Sequence, residues 1–340
     1  MTTTDLEPIR PEEAVDLYLR ERSTDVSQNT LDAHYYRLVH FLRWCEEEER
    51  IDNLNDLTGR KLHQFRLWRR DDGDLNNVSL RTQLQTLRVF LKFLERIDAV
   101  EPGLHDKLLI PNLSEGEDQR ERLLETEDAR DMLARLRRFE YASLKHVLLE
   151  LMWHTGLRMG SLHSLDVEDY YPDKEALEVR HRPEDGTNLK NRKKGERFVA
   201  LSPQVCEVVE DWIEHSRPDV TDEYGREPLL ATSNGRLAKS SMRGITYRST
   251  RPCEWGECPI GRDPSECEPA SKGVVASKCP SAVSPHDVRR GAITHMLREE
   301  VPVDVVSDRV NASRDILDKH YNEMTEEEKM EQRRSWLEHV

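Results

Sequence analysis

Three separated segments each place a cation beside a helix start or a turn. HTGLRMGSL (154–162) sets Arg158 after a glycine turn, LKNRKKGERFVAL (189–201) sets Lys190, Lys193 and Lys194 at a hairpin tip, and SPHDVRRG (284–291) sets His286 at a helix start with Arg289 one turn on. Residues three apart on a helix share a face, so His286 and Arg289 can converge while Arg290 points away. Two planar guanidiniums, an ammonium and an imidazole around one anion make a cage for a pentavalent phosphate, because phosphoryl transfer is catalysed mostly by positioning and charge stabilisation. A nucleophile is still needed. No Walker loop, Asp/Glu metal cluster or Gly-x-Ser-x-Gly elbow offers one, but Tyr321 in DILDKHYNEMT does. Taken singly, a His-x-x-Arg pair is ordinary helix surface and a lone Tyr is ordinary packing; only their order and spacing argue for more.

The elements that would position these groups are mostly helices. Residues 10–22 read as one helix, and from Asn29 the apolar positions Leu31, Tyr35, Leu38, Leu42 and Cys45 recur every three to four residues, with Ser27 or Asn29 as the cap. The stretches 57–70 and 79–97 repeat that period. Arg66, Arg69, Arg70, Arg81 and Arg88 punctuate them, either as solvated helix faces or as phosphate contacts. Pro, Gly and acidic residues break the period between about 101 and 120, which puts a linker at 106–122 between a first domain at 1–105 and a second at 123–340. Helices are expected again at 126–138 and 142–154. LEVRHR (177–182) and ERFVAL (196–201) then alternate like the strands of a β-hairpin. Further helices are expected at about 204–215, 239–249, 287–299, 302–309 and 313–321, with a charged one from about 325. The fold class is mainly α, a helical N-terminal domain followed by a helical domain with a small antiparallel sheet.

At 340 residues the chain can bury two cores. Its net charge of −15, with 34% charged and 6% aromatic residues, describes a very soluble protein whose mean field would repel nucleic acid and anionic membranes. Basic islands interrupt that field: residues 180–198 carry seven Lys or Arg against three Asp or Glu, and residues 60–96 carry nine against four. Acidification of the solvated surface for high salt, with one functional face kept basic, would give this pattern, and so would an acid-rich cytosolic protein of no special habitat. No apolar run approaches the ~20 residues of a membrane span, and MTTTDLEPIRPEE lacks a signal peptide's apolar core, so a soluble cytoplasmic protein is expected.

Six cysteines are too few to staple a chain of this length. Four of them, Cys253, Cys258, Cys267 and Cys279, fall in an insert at 251–280 just before the His-x-x-Arg segment. Clustered thiols in a reducing compartment suggest tetrahedral zinc, although the spacing lacks a Cys-x-x-Cys pair and leaves free thiols or disulfides open. Cys45 and Cys206 read as core residues.

Arg158 after TGLR, a Lys in a β-hairpin, His-x-x-Arg and then a Tyr near the C-terminus together resemble the tyrosine recombinases, the phage integrase and Xer-type family. The resemblance covers nearly the whole chain, because SQNTLDAHYYRLVHFLRW looks like the start of that family's SAM-like core-binding domain. It implies a second domain of the DNA breaking-rejoining fold and site-specific recombination of double-stranded DNA by a homo-oligomer, a tetramer in synapsis, with no catalytic metal or cofactor. Arg158 and Arg289 would hold the non-bridging oxygens of the scissile phosphate, with His286 as their acid/base partner. Tyr321 would attack phosphorus to give a 3′-phosphotyrosyl bond, and a hairpin Lys would protonate the leaving 5′-oxygen. The longer hairpin here blurs the register of that Lys, with Lys190 first and Lys193 next.

Two departures from the family pattern stand out. Where members read LGHSS, this chain reads RVNAS, so the usual second His or Trp becomes Ala312, which cannot hydrogen-bond a phosphate. Either activity is reduced or Asn311 or His320 supplies the donor. In TGLRISEL the acidic residue that buttresses the first Arg becomes Ser161. The same pattern is similar to haloarchaeal integrases. A catalytically weakened DNA-binding regulator on the same fold is the rival expectation, but a mere binder needs no tyrosine nucleophile. Type IB topoisomerases share the chemistry; two-domain length and the Xer-like N-terminal segment favour recombination.

Overall fold

The three-to-four-residue apolar period of the first hundred residues becomes four α-helices: α1 (Pro11–Arg22), α2 (Gln28–Trp44), α3 (Gly59–Asp72) and α4 (Asn77–Arg96). The computed structural model describes residues 6–114, 117, 122–321, 327, 330 and 334, apart from the side chains of 319–321. Most of the charged helix expected from about 325 and the middle of the expected linker lie outside the described residues. Two compact units divide the chain, Met1–Arg120 and Glu121–Val340.

In the first unit the starts of α3 and α4 are set by short polar side chains that take orphan amides of the first turn. Thr58 Oγ1 accepts from Lys61 N at 3.3 Å and Asn76 Oδ1 from Ser79 N at 2.9 Å. Ser27, not Asn29, is the cap of α2. The inward faces meet in an aromatic cluster, where Phe41 and Phe65 stand edge to face at 5.5 Å and Trp44 meets Phe65 at 5.4 Å. Three of the arginines expected either on solvated faces or on phosphate make hydrogen bonds within the first unit. Arg69 is buried and donates to Gln83 at 2.8 Å and Asp72 at 3.2 Å. Arg81 donates to the Pro111 carbonyl at 2.8 Å and Arg88 to that of Leu108 at 3.0 Å. These last two bonds, with Leu108 buried, tie residues 108–111 to the first unit, past the boundary drawn at 105.

The second unit begins with α5 (Thr126–Phe139), α6 (Leu144–Thr155) and α7 (Met159–Ser164). A three-stranded antiparallel sheet follows in the order β1 (Tyr170–Tyr171), β2 (Ala176–Val179), β3 (Arg197–Ala200), with Ala176 opposite Ala200 and Val179 opposite Arg197. β1 was not legible as a strand, being two residues long, and β2 stops at Val179, short of the expected 182. Beyond it Arg180 pairs with Glu178 at 2.5 Å, and Arg182 with the fully buried Asp169 at 2.6 Å. Arg226 and Arg236 join this network through Asp166 and Asp222, so every buried carboxylate in it is paired. Two of the seven cations of the basic island at 180–198 are thus structural; the exposed charge sits at the hairpin tip, Lys190 to Lys194.

After the sheet come α8 (Pro203–Asp211), the hairpin β4 (Ala231–Thr232) and β5 (Gly235–Arg236), α9 (Lys239–Ser249), the short α10 (Glu268–Ser271), α11 (Pro285–Arg298), α12 (Val303–Val310) and α13 (Arg314–Tyr321). α6 runs through the centre of the core, with Val147, Leu148, Leu149 and Leu151 all fully buried. α11, α12 and α13 share a second apolar cluster of Ile293, Leu297, Val306, Val310, Ala312 and Leu317.

Candidate active site

Helix α6 ends at Gly156, whose φ of 60° lies in the left-handed region. A Cβ there would stand 3.0 Å from Val310 Cγ1, so a glycine lets α6 close onto α12. Arg158 follows as the N-cap of α7, and its Nη1 donates to the Asn311 carbonyl at 2.8 Å. α11 starts with Pro285 at its first turn and a capping box: Ser284 Oγ accepts from Asp287 N at 3.3 Å, and Asp287 Oδ2 accepts from Ser284 N at 2.8 Å. That box fixes the first turn, where His286 is exposed and Arg289, one turn later, is buried. Arg289 donates to the Gly156 carbonyl at 2.5 Å and the Val310 carbonyl at 2.9 Å, so both arginines are aimed by backbone oxygens at the ends of α6 and α12.

Arg158, Lys190, His286 and Arg289 all line one cavity of about 400 Å³, and Lys193 is not among its lining residues. Arg290, on the opposite side of α11, does not line it either. Tyr321 ends α13, four residues beyond Leu317, which anchors that helix in the core. The side chains of Tyr321 and His320 lie outside the described residues. Ala312 is buried among apolar neighbours, and Asn311, at φ 51°, faces the cavity in its place. The Asn311 amide clamps the hairpin, donating to the Lys194 carbonyl at 2.9 Å and accepting from Asn191 at 2.7 Å. One of its two N–H groups is therefore already committed.

Sequence reasoning missed Arg197, which lines the same cavity from the first position of β3. Its Nε donates to the Arg309 carbonyl and its Nη1 to the Gly195 carbonyl, at 2.8 and 2.7 Å, leaving Nη2 for the cavity. The signal was present: strand alternation puts Arg197 on the same face as the buried Val199, and a cation on the inward face of a strand asks for an anion. Arg243 of α9 adds an exposed cation at the rim.

Among the described residues no carboxylate ion-pairs with Arg158, Arg197 or Arg289. The replacement of the family's acidic buttress by Ser161, which also lines the cavity, leaves the positive field undiluted. Burial lowers all three guanidinium pKa values. Arg289 is pushed down to about 9, by burial first and then by Arg158 and Arg197; Arg197 is pushed down to about 10, by burial and then by Arg158 and Arg309. Guanidinium still stays charged near neutrality, so these shifts measure how strongly the cluster wants a counter-charge. A tetrahedral or trigonal-bipyramidal phosphorus with charged oxygens supplies one.

The chain is similar to known proteins in sequence and in fold. Residues 15–97 match the model of the phage integrase N-terminal SAM-like domain, and residues 117–251 match that of the phage integrase family. The tyrosine recombinase XerD of Oceanobacillus iheyensis is 22% identical over 297 residues, 83% of each chain. The XerD of Vibrio vulnificus is 24% identical over 304 residues, covering 87% of this chain and 84% of that one. In three dimensions, the Tn1549 transposon integrase in complex with a circular-intermediate DNA aligns with a TM-score of 0.64 at 14% identity, over 93% of this chain and 95% of that one. That likeness is one of fold.

Proposed function

Because this chain belongs to the phage integrase family, the tyrosine recombinases, we propose that it is a site-specific DNA recombinase that cleaves and rejoins double-stranded DNA through a 3′-phosphotyrosyl intermediate. The observation that carries this reading is the buried Arg289 with the half-buried Arg158 and Arg197, unpaired by any carboxylate among the described residues and sharing one cavity with Lys190 and His286. A protein that only bound DNA would gain nothing from burying such charge, which costs several kcal/mol per ion when uncompensated.

In the proposed reaction the Tyr321 oxygen attacks the scissile phosphorus, losing its proton, and the bond from phosphorus to the 5′-oxygen breaks. Arg158 and Arg289 take the non-bridging oxygens, with His286 beside them as hydrogen-bonding acid/base partner. Lys190 gives the leaving 5′-oxygen its proton. The reverse attack by a partner strand's 5′-hydroxyl expels the tyrosine and rejoins DNA. Bond energy is kept in the phosphotyrosine, so the cycle needs neither nucleotide nor metal. Strand exchange between two duplexes calls for several copies of the chain, and a tetramer in synapsis is the assembly proposed. Among the described residues no helix is long and apolar enough to cross a membrane. An acidic surface around a basic site suits a protein working at high salt.

A nicked suicide substrate tests the reading. The parent chain should become covalently attached to the 3′-phosphate, and Tyr321→Phe should lose the adduct while binding DNA nearly as well, since one hydroxyl is removed. His320→Ala should still form it. An adduct that persists in Tyr321→Phe would overturn the assignment.

A further inference from the structure

The insert between α9 and α11 is long for a segment with so little core of its own. Among the described residues between Cys253 and Cys279, Ala276 and Pro269 are the buried apolar side chains. Its base is nonetheless pinched shut: Thr250 Oγ1 accepts from Val283 N at 3.0 Å while its own proton goes to the Thr246 carbonyl at 2.8 Å. Arg251, buried, stitches the first strand of the insert to the carbonyl of Ala270 at 2.9 Å and to that of Pro269. Long loops that keep a shape without a core usually need a staple.

The four cysteines supply the atoms for one. Each comes from a different local turn: Cys253 from the turn Pro252–Glu254, Cys258 just before Pro259, Cys267 from the N-cap of α10, and Cys279 from the end of the turn Gly273–Lys278. All four thiols are free and partly buried, and all four line a single cavity of about 20 Å³. Arg251 and Arg262 line the same cavity. Four thiolates around a divalent ion leave a net double negative charge, and Arg262, with Arg251 that is already paired to Glu254, supplies the neighbouring positive charge.

We propose that Cys253, Cys258, Cys267 and Cys279 form a structural tetrathiolate site for a zinc-class ion, which clips the insert at the entrance to the helix carrying His286 and Arg289. Among the described residues no three potential ligands already stand in an ion-holding array. The turns must therefore close on the cavity, bringing sulfurs within about 3.8 Å of one another, the edge of a tetrahedron with Zn–S bonds of ~2.3 Å. Each thiol releases its proton on binding. Since Cys279 lies only seven residues before His286 and Val283 is locked to Thr250, the clip fixes where α11 begins.

The full-length protein, purified without chelator, should carry about one zinc per chain by elemental analysis. Exchange into cobalt(II) should give the near-ultraviolet thiolate charge-transfer and the intense red ligand-field absorption of a tetrahedral sulfur site. Cys258→Ser with Cys267→Ser should lose the metal and the spectrum and gain protease cleavage within 253–279, whereas Cys206→Ser should keep both. If the double variant does not fold, the cobalt spectrum of the parent chain decides alone. Metal-free protein that gives no such cobalt spectrum, with four insert thiols alkylated at the rate of open cysteines, would overturn the proposal. So would disulfides among these four cysteines in protein prepared without oxidant.

Discussion

Arg197→Ala is the sharpest test of the cavity, because only its place on the inward face of β3 separates this arginine from its neighbours in the basic hairpin. Its Nε and Nη1 are held by the Arg309 and Gly195 carbonyls, so Nη2 is presented to the cavity in a fixed direction. A donor preorganised in this way at a phosphoryl centre is worth about 3–4 kcal/mol of transition-state stabilisation, or roughly 10²–10³ in rate. The ground state loses much less. One phosphate contact among many should lower the slope of log K against log salt by about one. Stability should move little, because two opposing terms are removed together. The two hydrogen bonds from the charged guanidinium contribute about 1.5–3 kcal/mol each, while the buried cation, repelled by Arg158 and Arg309, costs several kcal/mol. Single-turnover cleavage of the nicked substrate under saturating DNA, alongside thermal melting, separates these effects. Arg197→Lys should fall between parent and Ala, keeping the charge but not the fork. A folded Arg197→Ala that cleaves at the parent rate would refute the assignment of Nη2 to the phosphate.

Two further outcomes follow from the surroundings of the site. His154 accepts from Ser202 N at 3.1 Å and is held down to about 4 by burial and then by Arg309, so the unfolded chain binds its proton more readily than the folded one. Its contribution is intact above the unfolded value near 6.5 and is lost as pH falls through about 4, on the order of 3 kcal/mol in all. Denaturant melts at pH 7 and pH 4.5 should show a smaller difference for His154→Gln than for the parent; equal differences would remove His154 from the account. Gly291, two residues after Arg289, packs so closely that a Cβ would meet the Leu124 carbonyl oxygen at 2.1 Å, which is rigid backbone. Gly291→Ala should therefore cost at least the ~1–3 kcal/mol of an overpacked core and lower cleavage by moving α11; an unchanged melting temperature would contradict the packing.

Where information is local, the amino-acid order was enough. The period of Leu31, Leu38, Leu42 and Cys45 announced α2, the Ser-Pro-His-Asp start announced α11 with its capping box, and the types and order of Arg158, His286, Arg289 and Tyr321 announced phosphoryl chemistry and the family. The four clustered cysteines were equally plain. Arginine, by contrast, looks alike wherever it stands, and its role depends on which distant oxygens surround it. Arg81 and Arg88 looked alike as candidates for DNA, and only the fold shows that they also hold the carbonyls of Pro111 and Leu108, thirty and twenty residues away. Arg180 and Arg182 belonged to the basic island in sequence but pair with Glu178 and Asp169 in the fold. Lys190 rather than Lys193 faces the cavity because the hairpin tip is clamped to Asn311, more than a hundred residues on. Strands β1, β4 and β5, each two residues long, are too short for alternation to register and exist only through partners across the sheet. Periodicity records a helix's own exposure pattern, whereas a charge's partner is settled only when remote segments close on it, and that closure is what turned Arg158, Arg197 and Arg289 into one site.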